Sequence, residues 1–195
     1  MASLKLLVSD AEAESTRHTS LLRALWTLLY AHYEGFFKFA WDLYLGALSD
    51  ARITREQATE TLARFSLSKK FRELRQDLSS KSLWGCLASD FPTWMKEDLE
   101  FEVGLETRNN LWPNVAKENS TKVGLPCSKI DEFQIELRAL VSRRNEIAHG
   151  KKMIIRNLEE YQKYENAAVL AMHELAIAVL EALDHKWYLK SPPVS

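Results

Sequence analysis

Apolar positions recur at three- and four-residue steps along most of the chain, which is the period of an α-helix. The pattern is clearest between Ser128 and Gly150, where Ile130, Phe133, Leu137, Leu140 and Val141 fall on one stripe. Ser128, with Asp131 three residues later, is a start signal in which a side-chain oxygen accepts from a free N–H of the first turn. Gly150 is the matching stop. The spacing predicts one helix over the whole stretch. Carried onward, the stripe meets Arg144 and then Ala148. An arginine in line with core positions is costly to bury alone, so Arg144 is expected to face a partner, a ligand or a solvent-filled groove. Asn145 and His149, four residues apart, share the neighbouring face.

A second long helix is predicted from Ser9 or Ser15 to about Leu48. It carries one stripe of Leu21, Leu25, Leu28, His32, Phe36, Phe39 and Leu43, and beside it another of Leu22, Trp26, Leu29, Tyr33, Phe37, Ala40 and Tyr44. A helix apolar over so much of its circumference is expected to be covered on more than one side, by the rest of the bundle and by a second protomer. Its polar strip holds Glu34, Lys38 and Asp42 at four-residue spacing, an ion-pair ladder of small energetic weight. His32, on the apolar stripe, reads as a hydrogen-bonded core histidine. A third long helix starts at an Asn157–Glu160 cap and runs to about His185, with Tyr161, Ala168, Leu175 and Val179 among its stripe.

The middle of the chain is less regular. Thr54–Gln57 reads as a capping box opening a short helix to about Phe65, and Ser68 opens another through Leu78. Within it Lys69, Lys70, Arg72 and Arg75 form the most basic cluster, a solvated face by default and a backbone rail if RNA binds. From Ser79 to Cys127, Pro92, Asn109-Asn110, Pro113 and Pro126 cut the chain into short pieces. Trp84, Trp94 and Trp112 read there as anchors onto a helical core in preference to stacking platforms for bases. The tail from Lys190 is expected to fray. The chain is therefore expected to be all-α, one domain over residues 1–195 with an irregular, partly helical insertion at 79–127.

Composition narrows the function classes. At 195 residues the chain can bury a substantial core, and 6 glycines with 5 prolines favour helices over a turn-rich β architecture. A net charge of −1 supplies no global basic field, so any nucleic-acid contact must come from a local patch. Cys86 and Cys127 lack metal-ligand or disulfide spacing, and no cluster of acidic residues, Gly-rich phosphate loop or nucleophile elbow stands out, so no metal or cofactor is expected. The amino end is too short and too soon acidic for a signal peptide, and no apolar run approaches membrane-spanning length. A cytoplasmic protein with no membrane partner is expected.

Arg144-Asn145-Glu146-Ile147-Ala148-His149 has the pattern Arg-Asn-x-x-x-His and resembles the signature of the HEPN superfamily, small all-helical proteins with this motif near the end of a late helix. The resemblance covers the aromatic-rich helix near the amino end, which looks like that of prokaryotic HEPN toxins, the motif helix and the long final helix. It implies an up-and-down helical bundle and a metal-independent endoribonuclease, a toxin or defence effector cleaving RNA by attack of the 2′-hydroxyl. Histidine suits proton transfer near neutral pH, and the planar fork of arginine suits a phosphate. By resemblance His149 acts as base or acid, Arg144 positions and neutralises the phosphate, and Asn145 holds the local geometry. Glu34 would pair with Arg143 or Arg144, and Lys151 and Lys152 would add positive charge beside His149. The site is expected to be composite, assembled across a homodimer. Some HEPN toxins carry a tyrosine, modified by a cognate antitoxin, two residues after the histidine; Lys151 stands there, so that route is not expected, although an antitoxin or inhibitor protein is. Two other readings stand beside this one. A non-catalytic HEPN-like module would bind a nucleotide or protein partner. A purely structural bundle would end in a capped helix, with Arg144 held by a carboxylate and no groove.

Overall fold

A computed structural model describes residues 1–151 and 157–191; the expectations for Lys152 and for the tail beyond Ser191 lie outside them. In chain order the helices are α1 (Ala2–Ser9), α2 (Thr16–Asp50), α3 (Glu60–Ser66), α4 (Ser68–Leu74), α5 (Ser80–Gly85), α6 (Phe91–Lys96), α7 (Pro113–Lys122), α8 (Ser128–Glu132), α9 (Gln134–Ala148) and α10 (Leu158–Asp184), with one π-helical turn, Cys86–Asp90, between α5 and α6. Among the described residues β structure is limited to two isolated bridges, Thr54 with Asp98 and Ala58 with Leu189. The chain is all-α.

It gathers into two compact units. The first comprises residues 1–38, 107–118 and 127–175. Its core is built by the second α2 stripe, Leu22, Trp26, Leu29, Tyr33 and Phe37, by Leu137, Leu140 and Val141 of α9, and by Tyr161, Ala168 and Leu175 of α10, all buried. Ala167 and Ala171 of α10 are buried there as well. Ser15 opens α2 by accepting from the His18 N–H at 3.1 Å, and Asn157 opens α10 by accepting from the Glu160 N–H at 2.8 Å, both at the expected caps. The other α2 stripe is core only at Leu25: Leu28 and Phe36 are half-buried, and His32, Phe39 and Leu43 are exposed. His32 is therefore no buried histidine.

The motif helix departs from expectation at its start. Phe133 leaves helical geometry (φ −104°, ψ 26°) and divides the stretch into α8 and α9. Ser128 does not cap it either. Its hydroxyl donates to Glu174 on α10, and the same carboxylate accepts from the Lys129 N–H at 2.8 Å. Asp131 is drawn instead to Lys117 at 2.7 Å. The orphan N–H is thus satisfied by a carboxylate distant in sequence, which no local pattern encodes.

The second unit comprises residues 39–106, 119–126 and 176–195. Trp41, Tyr44, Leu48, Leu62, Leu67, Leu99 and Val179 are among its buried side chains. Thr54 and Gln57 do meet, the Gln57 side chain accepting from the Thr54 N–H at 2.9 Å, but they close a turn, and α3 starts later with Thr59 as its N-cap. Helix α4 ends at Leu74, short of the expected Leu78. Lys190 is tied by its N–H to Gln57 O at 2.9 Å, so fraying does not begin there. By length and composition α10 is apolar enough to cross a membrane, contrary to expectation, yet Lys5 pairs with its Glu165 and Glu136 with its Lys163, as on a helix packed in a folded core.

Candidate functional site

The last turns of α9 hold the motif, and the chain ends that helix as the glycine requires. His149 is the C-cap, and Gly150 takes the left-handed conformation at φ +70°. The Gly150 N–H reaches Ile147 O at 3.1 Å and the Lys151 N–H reaches Glu146 O at 2.9 Å, the paired bonds of a Schellman ending. From α2, Arg23 donates to Lys151 O at 3.1 Å and ties the residue after the cap to that helix. His149 is held by its backbone while its side chain is exposed. It stands five positions after Arg144, about 7.5 Å of helix rise.

Arg144 is half-buried, and its partners are neutral. Its Nη1 donates to Asn110 Oδ1 and to Asn145 Oδ1, both at 3.0 Å, and its guanidinium carbon lies 4.6 Å from the centroid of the Tyr30 ring. Among the described residues no carboxylate stands within ion-pair distance of it. The structural-bundle reading required such a carboxylate. Tyr30 is itself fixed: its hydroxyl accepts from the Leu111 N–H at 2.9 Å and lies 3.4 Å from Asn110 Oδ1. Burial pushes the Tyr30 phenol up to about 12, the Leu111 N–H opposing and Glu34 adding to the rise, so the group is a neutral hydroxyl at physiological pH.

Arg143 points elsewhere. It donates to Glu160 at 2.6 Å and lies against the paired rings of Trp26 and Tyr164, 5.0 Å and 5.1 Å from their centroids, which are themselves 4.7 Å apart. Trp26 in turn donates from its indole nitrogen to Leu140 O at 2.9 Å. This arrangement fastens α9 to α2 and α10. Glu34 pairs with Lys38 at 3.6 Å, the ladder expected from spacing, and not with either arginine. Its contact with the site runs through Tyr30.

Beside the motif, Leu4 of α1, Ala24, Thr27, Leu28 and Ala31 of α2, and Ile147 of α9 line an open apolar groove of about 560 Å³, with Arg23 at its edge. Lys151 is exposed. Within the second unit, two of the four basic residues of α4 and its end are occupied by carboxylates: Lys69 by Glu102, and Lys70 by Glu97 at 2.9 Å, which Arg55 shares at 2.9 Å. Arg72 and Arg75 remain exposed. Trp94 is half-buried under Lys70, 4.9 Å from its ring centroid, whereas Trp84 is 75% exposed and anchors nothing in its unit.

Sequence patterns missed Tyr30, Asn110 and Arg23. Tyr30 lies on the buried side of α2, off both stripes and beyond the second, and Asn110 was legible only as turn punctuation. Among the described residues no group of three or more His, Cys, Asp or Glu side chains is placed to hold a metal ion.

Comparison with curated proteins and with solved structures gave no match. A family model described as HEPN_MAE_28990-like HEPN matches residues 1–188, which takes in α1 through α10. With an all-helical fold and Arg-Asn-x-x-x-His closing a late helix, the chain belongs to the HEPN superfamily.

Proposed function

We propose that this HEPN module is a metal-independent endoribonuclease of the toxin or defence type, working as a homodimer. The observation that carries the reading is the state of Arg144: a half-buried cation braced by neutral groups, at the same end of α9 as an exposed, backbone-fixed His149. A structural arginine at such a depth is normally neutralised by a carboxylate, as Arg143 is by Glu160. An arginine kept charged and oriented suits a visiting anion, because its planar fork grips two phosphate oxygens at once.

The chemistry follows from those groups. A base takes the proton of the 2′-hydroxyl, the 2′-oxygen attacks phosphorus, and the bond to the 5′-oxygen breaks as an acid protonates it. The products are a 2′,3′-cyclic phosphate and a 5′-hydroxyl. His149 serves as one proton-transfer group, and its copy in the second protomer serves as the other. Arg144 holds the phosphate and offsets the charge that gathers on its oxygens in the transition state. Asn145 shares the Arg144 brace, and Lys151 adds positive charge beside the cap. The apolar groove along α2 and Ile147 supports pairing of two copies next to the motif.

Cleavage of a ribo-oligonucleotide and of its 2′-deoxy counterpart in excess EDTA, with mass measured by light scattering, tests this. The expected result is a dimer that cuts only the ribo form and leaves cyclic-phosphate ends. Intact RNA at every concentration would favour instead a non-catalytic HEPN module that binds a nucleotide or protein.

A further inference from the structure

The Arg144 brace is supplied by a turn outside the motif. Residues 107–111 fold back tightly: the Asn110 N–H reaches Thr107 O at 3.1 Å, and the Trp112 N–H reaches Asn110 O at 2.9 Å. Two successive side-chain-bearing residues, Arg108 (φ 51°) and Asn109 (φ 73°), occupy the left-handed region that ordinarily suits glycine. Such backbone strain persists only where surrounding contacts over-determine it. Here Arg108 is held by Glu118 at 2.8 Å, and the Leu111 N–H is held by the Tyr30 hydroxyl at 2.9 Å. The outcome is that Asn110 Oδ1 meets Arg144 Nη1 at 3.0 Å while the Tyr30 ring covers the guanidinium face.

We infer that Asn110 and Tyr30 are positioning residues for Arg144: Asn110 of the 107–111 turn holds one nitrogen and the Tyr30 ring covers one face, leaving the remaining N–H groups for the phosphate. This rests on the ribonuclease reading above. Both bonds to Asn110 and Asn145 use Nη1, so Nε and Nη2 carry no bond to any described residue. A neutral amide orients the arginine without cancelling its charge. A carboxylate in the same place would hold it more firmly and compete with the substrate for it.

That difference gives the test: Asn110→Ala and Asn110→Asp are compared with wild type for cleavage of a ribo-oligonucleotide, for thermal midpoint and for the side-chain NMR signal of isotope-labelled Arg144. Asn110→Ala is expected to lower kcat about tenfold or more, with KM little changed, through loss of orientation. Its Arg144 signal is expected to show faster guanidinium rotation. Asn110→Asp is expected to keep or raise the thermal midpoint and slow that rotation, yet cut with a kcat as low as that of Asn110→Ala. A merely structural contact predicts the opposite, since the aspartate would rescue it. If wild type cleaves and both variants match it, the positioning role is overturned while the ribonuclease reading stands. If wild type does not cleave, both fall, and the Arg144 signal then reports a brace that is structural only.

Discussion

Arg143 donates to Glu160 at 2.6 Å, against the contacting rings of Trp26 and Tyr164. Its neighbour Arg144 meets amides and a phenol ring. Adjacent arginines on one helix thus do different work. Arg143→Ala removes a charge-assisted hydrogen bond worth about 2 kcal/mol, so the thermal midpoint is expected to fall by roughly 4–8 °C. Cleavage measured well below that midpoint is expected to persist. Arg144→Ala is expected to abolish cleavage with a smaller thermal shift. Calorimetry beside a cleavage assay reads both, and the reverse pattern would exchange the two roles.

Gly150 closes α9 at φ +70°, and a Cβ there would meet nothing within 4 Å. The cost of Gly150→Ala is therefore conformational, about 1 kcal/mol. A drop of roughly 2–4 °C is expected, with a larger relative loss of cleavage because the His149 backbone is released. Gly150→Asn, which enters the left-handed region more readily, is expected to recover part of both. Cleavage equal to wild type in Gly150→Ala would show that the cap does not position His149.

At α8 the capping acceptor is Glu174, not Ser128. Glu174→Ala is expected to cost about 1 kcal/mol, as for loss of an N-terminal cap. Ser128→Ala is expected to cost less, since it leaves the Lys129 N–H satisfied. Urea unfolding midpoints of the two variants decide the order.

The break at Phe133 and the exchange of caps mark where the sequence was mute. Phe133 falls on the apolar stripe, so spacing alone reads it as helix interior. Glu174 is 46 residues from Ser128, beyond any local signal. The other end of the same helix was legible because its ending is local: Gly150 and the two preceding carbonyl acceptors lie within five residues. The α2 stripes show the limit of periodicity in another way. Both repeat alike, yet one is core and the other carries the exposed His32, because spacing reports which residues share a face and not what covers it. For the site, the motif named Arg144, Asn145 and His149. Besides Asn145, the residues that brace Arg144 come from a turn and from a buried α2 position off both stripes, and only the folded chain brings them together.

Alkaline stability carries a signature of the same brace. Tyr30 ionises near 10 in an unfolded chain and at about 12 in the fold, chiefly through burial. Between those values the folded state keeps a proton that the unfolded state has lost, so stability is intact below pH 10 and declines as pH rises toward 12. Burial also raises Tyr33, Tyr44 and Tyr161. Tyrosinate absorbance from these four residues is therefore expected to appear late and together with unfolding, and Tyr30→Phe is expected to make the decline shallower. Early titration of Tyr30 in the folded protein would contradict its burial against Leu111.

The most direct test of the ribonuclease reading is cleavage of RNA in EDTA by the purified protein and by His149→Ala, at matched concentration and matched dimeric mass. Fragments with 2′,3′-cyclic phosphate ends from the wild type alone are the predicted result. Equal cleavage by the two proteins, or none by the wild type, would contradict the assignment of proton transfer to His149.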